Sequence, residues 1–227
     1  MNNYRDRLWL ISNYNFDPSA VILRIPDPYI IYNQGNELLV PNTLRQKGAF
    51  VQSRHTGHNL SDYLEYIIQN YKNLPDSLGL AKGNVFPRHI VEQVFIERQL
   101  QGGFVPLYSD NATFVPSYHW LLKFFVAQQI APGYFLEVTN NWYARNKEIG
   151  KVYPRINDMF ECFFKRPSPR YITFVPGACM IVPATNIVRW PIDVYERLYE
   201  AVTYEFFPVE AYHLERCMLH FFSFPKA

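Results

Sequence analysis

Charge is scarce in this sequence. Asp, Glu, Lys and Arg make up 19% of the 227 residues and almost cancel, leaving a formal net charge of +2. Recognition of DNA or RNA needs a concentrated basic face, and no Lys/Arg run is longer than a residue or two, so no nucleic-acid partner is expected. Long apolar runs are also missing. No stretch approaches the roughly 20 continuous apolar residues that cross a bilayer, so no transmembrane segment is expected and the chain reads as soluble or at most peripheral. Near the N-terminus, Asn13, Asn15 and Asp17 interrupt the apolar run that a signal peptide requires, and no export is implied. Cysteine is rare and odd in number: Cys162, Cys179 and Cys217 have no metal-ligand spacing and read as reduced, buried small hydrophobes of a cytoplasmic protein. The two glycosylation sequons, at Asn59 and Asn111, then read as chance matches.

Several catalytic signatures are absent too. There is no Gly-x-Ser-x-Gly elbow and no phosphate-binding Gly-x-x-x-x-Gly-Lys-Ser/Thr loop, which removes serine hydrolases of that type and P-loop enzymes. The six histidines, His55, His58, His89, His119, His213 and His220, give no i, i+4 pair of the His-Glu-x-x-His kind, so zinc is not expected.

What is present is apolar surface: 48% hydrophobic and 17% aromatic residues, enough for a sizeable core in one α/β domain over residues 1–227. Leu8-Trp9-Leu10-Ile11-Ser12 and Tyr29-Ile30-Ile31-Tyr32 predict buried strands that end in Asn13/Asn15 and in Asn33-Gln34-Gly35-Asn36. Leu60, Tyr63, Leu64, Ile67, Ile68 and Tyr71 recur at helical spacing, so residues 59–71 predict an amphipathic helix. Strands are expected at 77–81, 134–138, 171–175 and 179–182, and helices at 90–100, 156–164, 192–202 and 210–221. This alternation predicts a mixed, mainly parallel sheet flanked by helices.

In open α/β sheets, ligands bind at the carboxyl ends of strands. The polar residues after the apolar runs, Asn13, Asn33, Lys82, Asn84, Asn140, Asn141 and Gly177, therefore mark a candidate polar cleft, although any single Asn there also serves a turn. Arg54-His55-Thr56-Gly57-His58-Asn59 opens the 59–71 helix with groups suited to an anionic or hydroxyl-rich ligand, or to a plain solvated cap. Glu210, after Pro208 at the start of the last helix and one turn before His213, is a candidate general base or a partner of the helix dipole. Trp142 and Tyr143 are a candidate stacking wall or core.

Taken together, Gly57-His58-Asn59-Leu60-Ser61-Asp62-Tyr63-Leu64, Asn70-Tyr71-Lys72-Asn73-Leu74-Pro75-Asp76, Lys82-Gly83-Asn84, Pro87-Arg88-His89, Asn140-Asn141-Trp142-Tyr143, the run from Pro176 to Pro183 and Glu215-Arg216 resemble a glycosyltransferase family. Its members occur in bacterial surface-polysaccharide loci and among the capsid-glycosylating enzymes of large chlorella viruses. The likeness extends over about residues 9–222. It implies a GT-A fold, with residues up to about 100 binding a nucleotide sugar and residues from about 101 binding the acceptor. By that resemblance Asn13, His58, Asn59, Asp62, Lys82, Asn84, Arg88, Asn141 and Gly177 would hold the donor, Trp142 and Tyr143 the acceptor, and Glu210 with His213 would carry the base chemistry. The implied reaction moves a sugar such as glucose or rhamnose from a nucleoside-diphosphate carrier, UDP above all, to a hydroxyl of a glycan or glycoprotein, in a host cytoplasm if the source is viral. Lys82-Gly83-Asn84 stands where many such enzymes carry Asp-x-Asp, so a lysine is available to neutralise the diphosphate and a Mn²⁺ or Mg²⁺ requirement stays open. A non-catalytic glycan- or nucleotide-binding module and a nucleotidyltransferase are the alternatives.

Overall fold

A computed structural model describes residues 6–26, 28–46, 49–54, 56–109, 127–128, 133–138 and 149–223. In chain order these form β1 (Arg7–Asn13), α1 (Ser19–Ile22), β2 (Tyr29–Asn33), α2 (Asn42–Arg45), β3 (Phe50–Gln52), α3 (His58–Asn70), β4 (Ser77–Lys82), α4 (Val85–Arg88), α5 (Glu92–Gln99) and β5 (Val105–Pro106). They continue with β6 (Ala127–Gln128), β7 (Phe135–Val138), α6 (Ile156–Phe164), β8 (Tyr171–Phe174), β9 (Met180–Pro183), α7 (Ala184–Ile187), α8 (Ile192–Thr203) and α9 (Val209–Phe222). A six-stranded mixed sheet runs β3-β2-β1-β4-β9-β5, and a three-stranded antiparallel sheet runs β6-β7-β8.

The central strands are apolar at nearly every position because the large sheet is covered on both faces. On one face Leu10, Leu78, Leu80, Met180 and Val182 pack with side chains of α3, α6, α8 and α9. On the other, Trp9, Ile11, Ile31, Ala81 and Ile181 pack with Val21, Leu44, Val85 and Phe95. The predicted 59–71 helix is α3, and its periodic residues Leu60, Tyr63, Leu64 and Ile67 are all buried. Each such side chain contributes about 1.5–3 kcal/mol of burial free energy, enough to seat a short helix that would be marginal alone. Gly79 on β4 is the register partner of Trp9, and a Cβ there would lie 2.3 Å from the indole. The missing side chain is what lets the tryptophan lie across β4.

Strands β3, β2, β1 and β4 are mutually parallel, whereas β9 is antiparallel to both β4 and β5. The direction of β9 leaves no mark in the sequence, because a buried strand is apolar whichever way it runs. Strands β3, β5 and β6 are only two or three residues long and too short to show a period. Helix α1, joining β1 to β2, sends Val21 to one face of the sheet, while α3, joining β3 to β4, packs on the other. The chain therefore reverses its winding between β1 and β4, and a crevice opens at their carboxyl ends. Among the described residues no helix is long and apolar enough to cross a membrane.

Candidate functional site

The carboxyl edge of the parallel strands is braced by side-chain amides. Asn13, Asn33 and Gln52 are consecutive register partners across β1, β2 and β3. Asn13 Nδ2 donates to Asn33 Oδ1 at 2.9 Å, and Asn33 Nδ2 donates to Gln52 Oε1 at 2.9 Å. Asn13 also donates to the Phe16 carbonyl at 2.8 Å, and a Cβ on Gly83 would come within 2.1 Å of its Oδ1. Asn13 and Asn33 thus fix loops to one another and are fully buried.

Beyond this brace lies a cleft of about 410 Å³. Three cationic side chains reach it from separate elements: Lys82 at the end of β4, Arg88 at the end of α4 and Arg216 on α9. The start of α3 also borders it through His58, Asn59 and Leu60, and the first turn of that helix contains no acidic residue to offset its dipole. Tyr14, Phe206, Phe207 and Tyr212 supply an aromatic wall, with Tyr14 and Phe206 each 52% exposed. The one carboxylate among the described lining residues, Glu215, is engaged: its Oε1 accepts from Gly177 N–H at 2.5 Å and its Oε2 from Arg216 Nη1 at 2.7 Å. The Arg216 guanidinium also lies 4.6 Å from the Phe174 ring centroid, so its position is set from two sides. His89 is buried against Gly177; burial, and then the charges of Lys82 and Arg88, hold its imidazole well below the ordinary histidine range and keep it neutral. Cations, aromatic rings and a helix N-terminus around one cleft suit a ligand that carries both an anionic group and a planar one.

Of the residues anticipated from sequence, His58, Asn59, Lys82, Asn84 and Arg88 line this cleft. Gly177 stands just behind, its carbonyl accepting from Asn59 Nδ2 at 2.9 Å. Asp62 is one layer deeper: it is 1% exposed and accepts from Ser12 Oγ at 2.5 Å. Burial, aided by the Glu65 charge, raises its carboxyl to about 7, against the opposing influence of the Ser12 hydrogen bond. Asn13 belongs to the brace rather than to the lining. Asn141, Trp142 and Tyr143 lie outside the described residues.

Glu210 is not on the cleft lining, although its neighbours Ala211 and Tyr212 are. Its side chain is fully buried and caps the 149–153 loop. Oε1 accepts from Val152 N–H at 2.7 Å and Tyr153 N–H at 3.2 Å, and Oε2 accepts from the Tyr204 hydroxyl at 2.7 Å. A carboxylate held by three donors and shielded from water is bonded as a structural acceptor is. His213 is buried beside it, and burial lowers its pKa to about 4. Both residues follow the helix-start pattern that suggested a base, but the helix is rotated so that this face packs inward.

Sequence reasoning from the residues alone passed over Ser12, Gln34, Tyr14 and the Phe206-Phe207 pair. The pair carried no usable signal, since adjacent phenylalanines can equally be core: Phe206 is 52% exposed, whereas Phe221 and Phe222 are both buried. Comparison with protein-family models, curated proteins and solved structures gave no match.

Proposed function

We propose that the protein is a glycosyltransferase with a GT-A-like arrangement that binds a nucleoside-diphosphate sugar in this cleft. The observation that carries the reading is the convergence of Lys82, Arg88 and Arg216 on one cleft whose lining also includes Tyr14, Phe206, Phe207 and Tyr212. Sugar transfer breaks the bond between the anomeric carbon and the diphosphate oxygen, and negative charge grows on the leaving group. Fixed cations at that point stabilise the transition state more than the ground state. The aromatic rings would stack on the base, and the parallel order β3-β2-β1-β4 supports a mononucleotide site at the reversal of winding. UDP is the proposed carrier, with transfer of a hexose or deoxyhexose to a hydroxyl of a glycan or glycoprotein.

The described lining offers three cations and one engaged carboxylate, a donor set that does not fit a resident divalent metal. No step is therefore drawn through one. The sequestration of Glu210 favours a second reading, a binding module that holds the nucleotide sugar without transferring it. Incubation of the purified protein with UDP-, GDP- and dTDP-sugars, with and without Mn²⁺, separates the two. Slow release of free UDP supports the transferase, binding without release supports the module, and neither binding nor release refutes both.

A further inference from the structure

Resting on the nucleotide reading of the cleft, we propose that Ser12 and Gln34 form an acceptor-only subsite for vicinal hydroxyls of the ligand, with Asp62 as the residue that positions Ser12. A serine hydroxyl has one hydrogen and two lone pairs. Ser12 commits its hydrogen to Asp62 Oδ2 at 2.5 Å and accepts from no described residue, yet it lines the cleft. Gln34 has two amide hydrogens and spends both: Nε2 donates to the His58 carbonyl at 2.6 Å and to Ser61 Oγ at 3.1 Å. The first bond fixes the amide orientation, because a carbonyl can only accept, and it leaves Oε1 as an acceptor with no described donor. Gln34 also lines the cleft, and both side chains adjoin Asp62.

Two neighbouring groups that can only accept call for two neighbouring donors. A cis-diol supplies them, whereas a phosphate oxygen or a base carbonyl meets repulsion. The ribose of a nucleotide is the source of these donors; the hydroxyls of the transferred sugar are the other carrier of the same chemistry.

Asp62 controls the polarity of the subsite. While it is ionised, Ser12 must donate inward and accept from the cleft. Once it is protonated, its own hydroxyl competes for a Ser12 lone pair. The titratable groups that act on Asp62 are Glu65 and the adjacent Tyr63 on its own helix, Tyr32 from β2 and Tyr199 from α8. The three phenols have raised pKa values and stay neutral through the range in which Asp62, near 7, changes charge. Discrimination by hydroxyls should accordingly strengthen as pH rises through about 7.

The test is calorimetric titration of the full chain with UDP, 2′-deoxy-UDP, 3′-deoxy-UDP and a UDP-hexose at pH 6 and pH 8, for the wild type, Ser12→Ala and Asp62→Asn. The expected result at pH 8 is a preference of about 5–10-fold for UDP over at least one deoxy analogue. That preference falls to about 2-fold or less in Ser12→Ala, and in the wild type at pH 6. In Asp62→Asn it is weak and no longer varies with pH, because the amide does not titrate. Melting temperatures and binding of the deoxy analogues report that each variant is folded. If the ribose analogues bind equally but the advantage of UDP-hexose over UDP collapses in Ser12→Ala, the subsite stands and reads the sugar. Unchanged preferences in both variants overturn this inference and leave the nucleotide reading intact. Failure of the wild type to bind any of the four ligands overturns both.

Discussion

Replacing Glu210 distinguishes a catalytic carboxylate from a structural one. Glu210→Ala removes the acceptor for the backbone N–H groups of Val152 and Tyr153 and for the Tyr204 hydroxyl, all at a side chain with no exposed surface. The two N–H groups belong to the main chain and cannot swing to a new partner. An unsatisfied buried donor costs about 1–3 kcal/mol, so the three together, allowing for some water entry, come to about 3–5 kcal/mol. For a chain of this size each kcal/mol moves Tm by about 2–4 °C, which predicts a fall of about 6–20 °C. Glu210→Gln keeps Oε1 as an acceptor, and its new amide can donate to Tyr204, whose hydroxyl can rotate. Its cost should be about 1 kcal/mol, and UDP-sugar hydrolysis and UDP affinity should stay within about 2-fold of wild type. Thermal denaturation followed by circular dichroism, with hydrolysis measured at 20 °C on the same preparation, gives both quantities. A Glu210→Gln protein with the wild-type Tm but turnover reduced by about 10²-fold or more would refute this reasoning and return the carboxylate to the chemistry.

Lys82→Ala should raise the Kd for UDP by about 10–100-fold, the worth of a charge-assisted hydrogen bond, and flatten its dependence on salt; an unchanged Kd by calorimetry would remove the lysine from the anion site. Gly57→Ala should lower the urea midpoint sharply, because φ at this residue is +67° and the added Cβ would sit 2.4 Å from the Val202 carbonyl. Burial holds His220 near pKa 4 in the fold against about 6.5 when unfolded, so its neutral form stabilises the protein above pH 6.5 and that contribution is lost as pH falls toward 4. His220→Phe, which keeps the ring against Phe160 and Phe164, should recover up to about 3 kcal/mol of the stability lost between pH 7 and 4.5, read from urea denaturation at the two pH values.

The elements most legible in the sequence were those with the strongest physical requirements. Helix α3 must bury Leu60, Tyr63, Leu64 and Ile67 on one stripe, and β1 must be apolar on both faces, so each left a pattern in the residues. Strand ends were legible as well, and Lys82 and Asn84 do reach the cleft they suggested. The roles of the asparagines were not. An asparagine that braces a neighbouring loop and one that meets a ligand look alike in sequence, and Asn13 and Asn33 turned out to hold each other. Glu210 shows the same limit on a helix: the pattern after Pro208 marks a helix start, but the rotation of that helix about its axis depends on what α9 packs against. Ser12 was hidden because its chemistry comes from Asp62, fifty positions away in sequence.

The amides that brace the strand ends also carry a direction. Asn13 donates to Asn33, Asn33 to Gln52, and Gln52 in turn donates to the Gly35 carbonyl at 3.2 Å, so each dipole points the same way along the edge. An amide dipole is roughly 3.5 D, and three in line behave like a short rod with its oxygen end at Asn13. That end lies against Gly83, between Lys82 and Asn84, and Asn13 Oδ1 has no donor among the described residues. The brace therefore places a fixed negative potential beneath the loop that follows Lys82. Asn33→Asp would cut the rod at its middle, since a carboxylate can accept from Asn13 but has nothing to give Gln52.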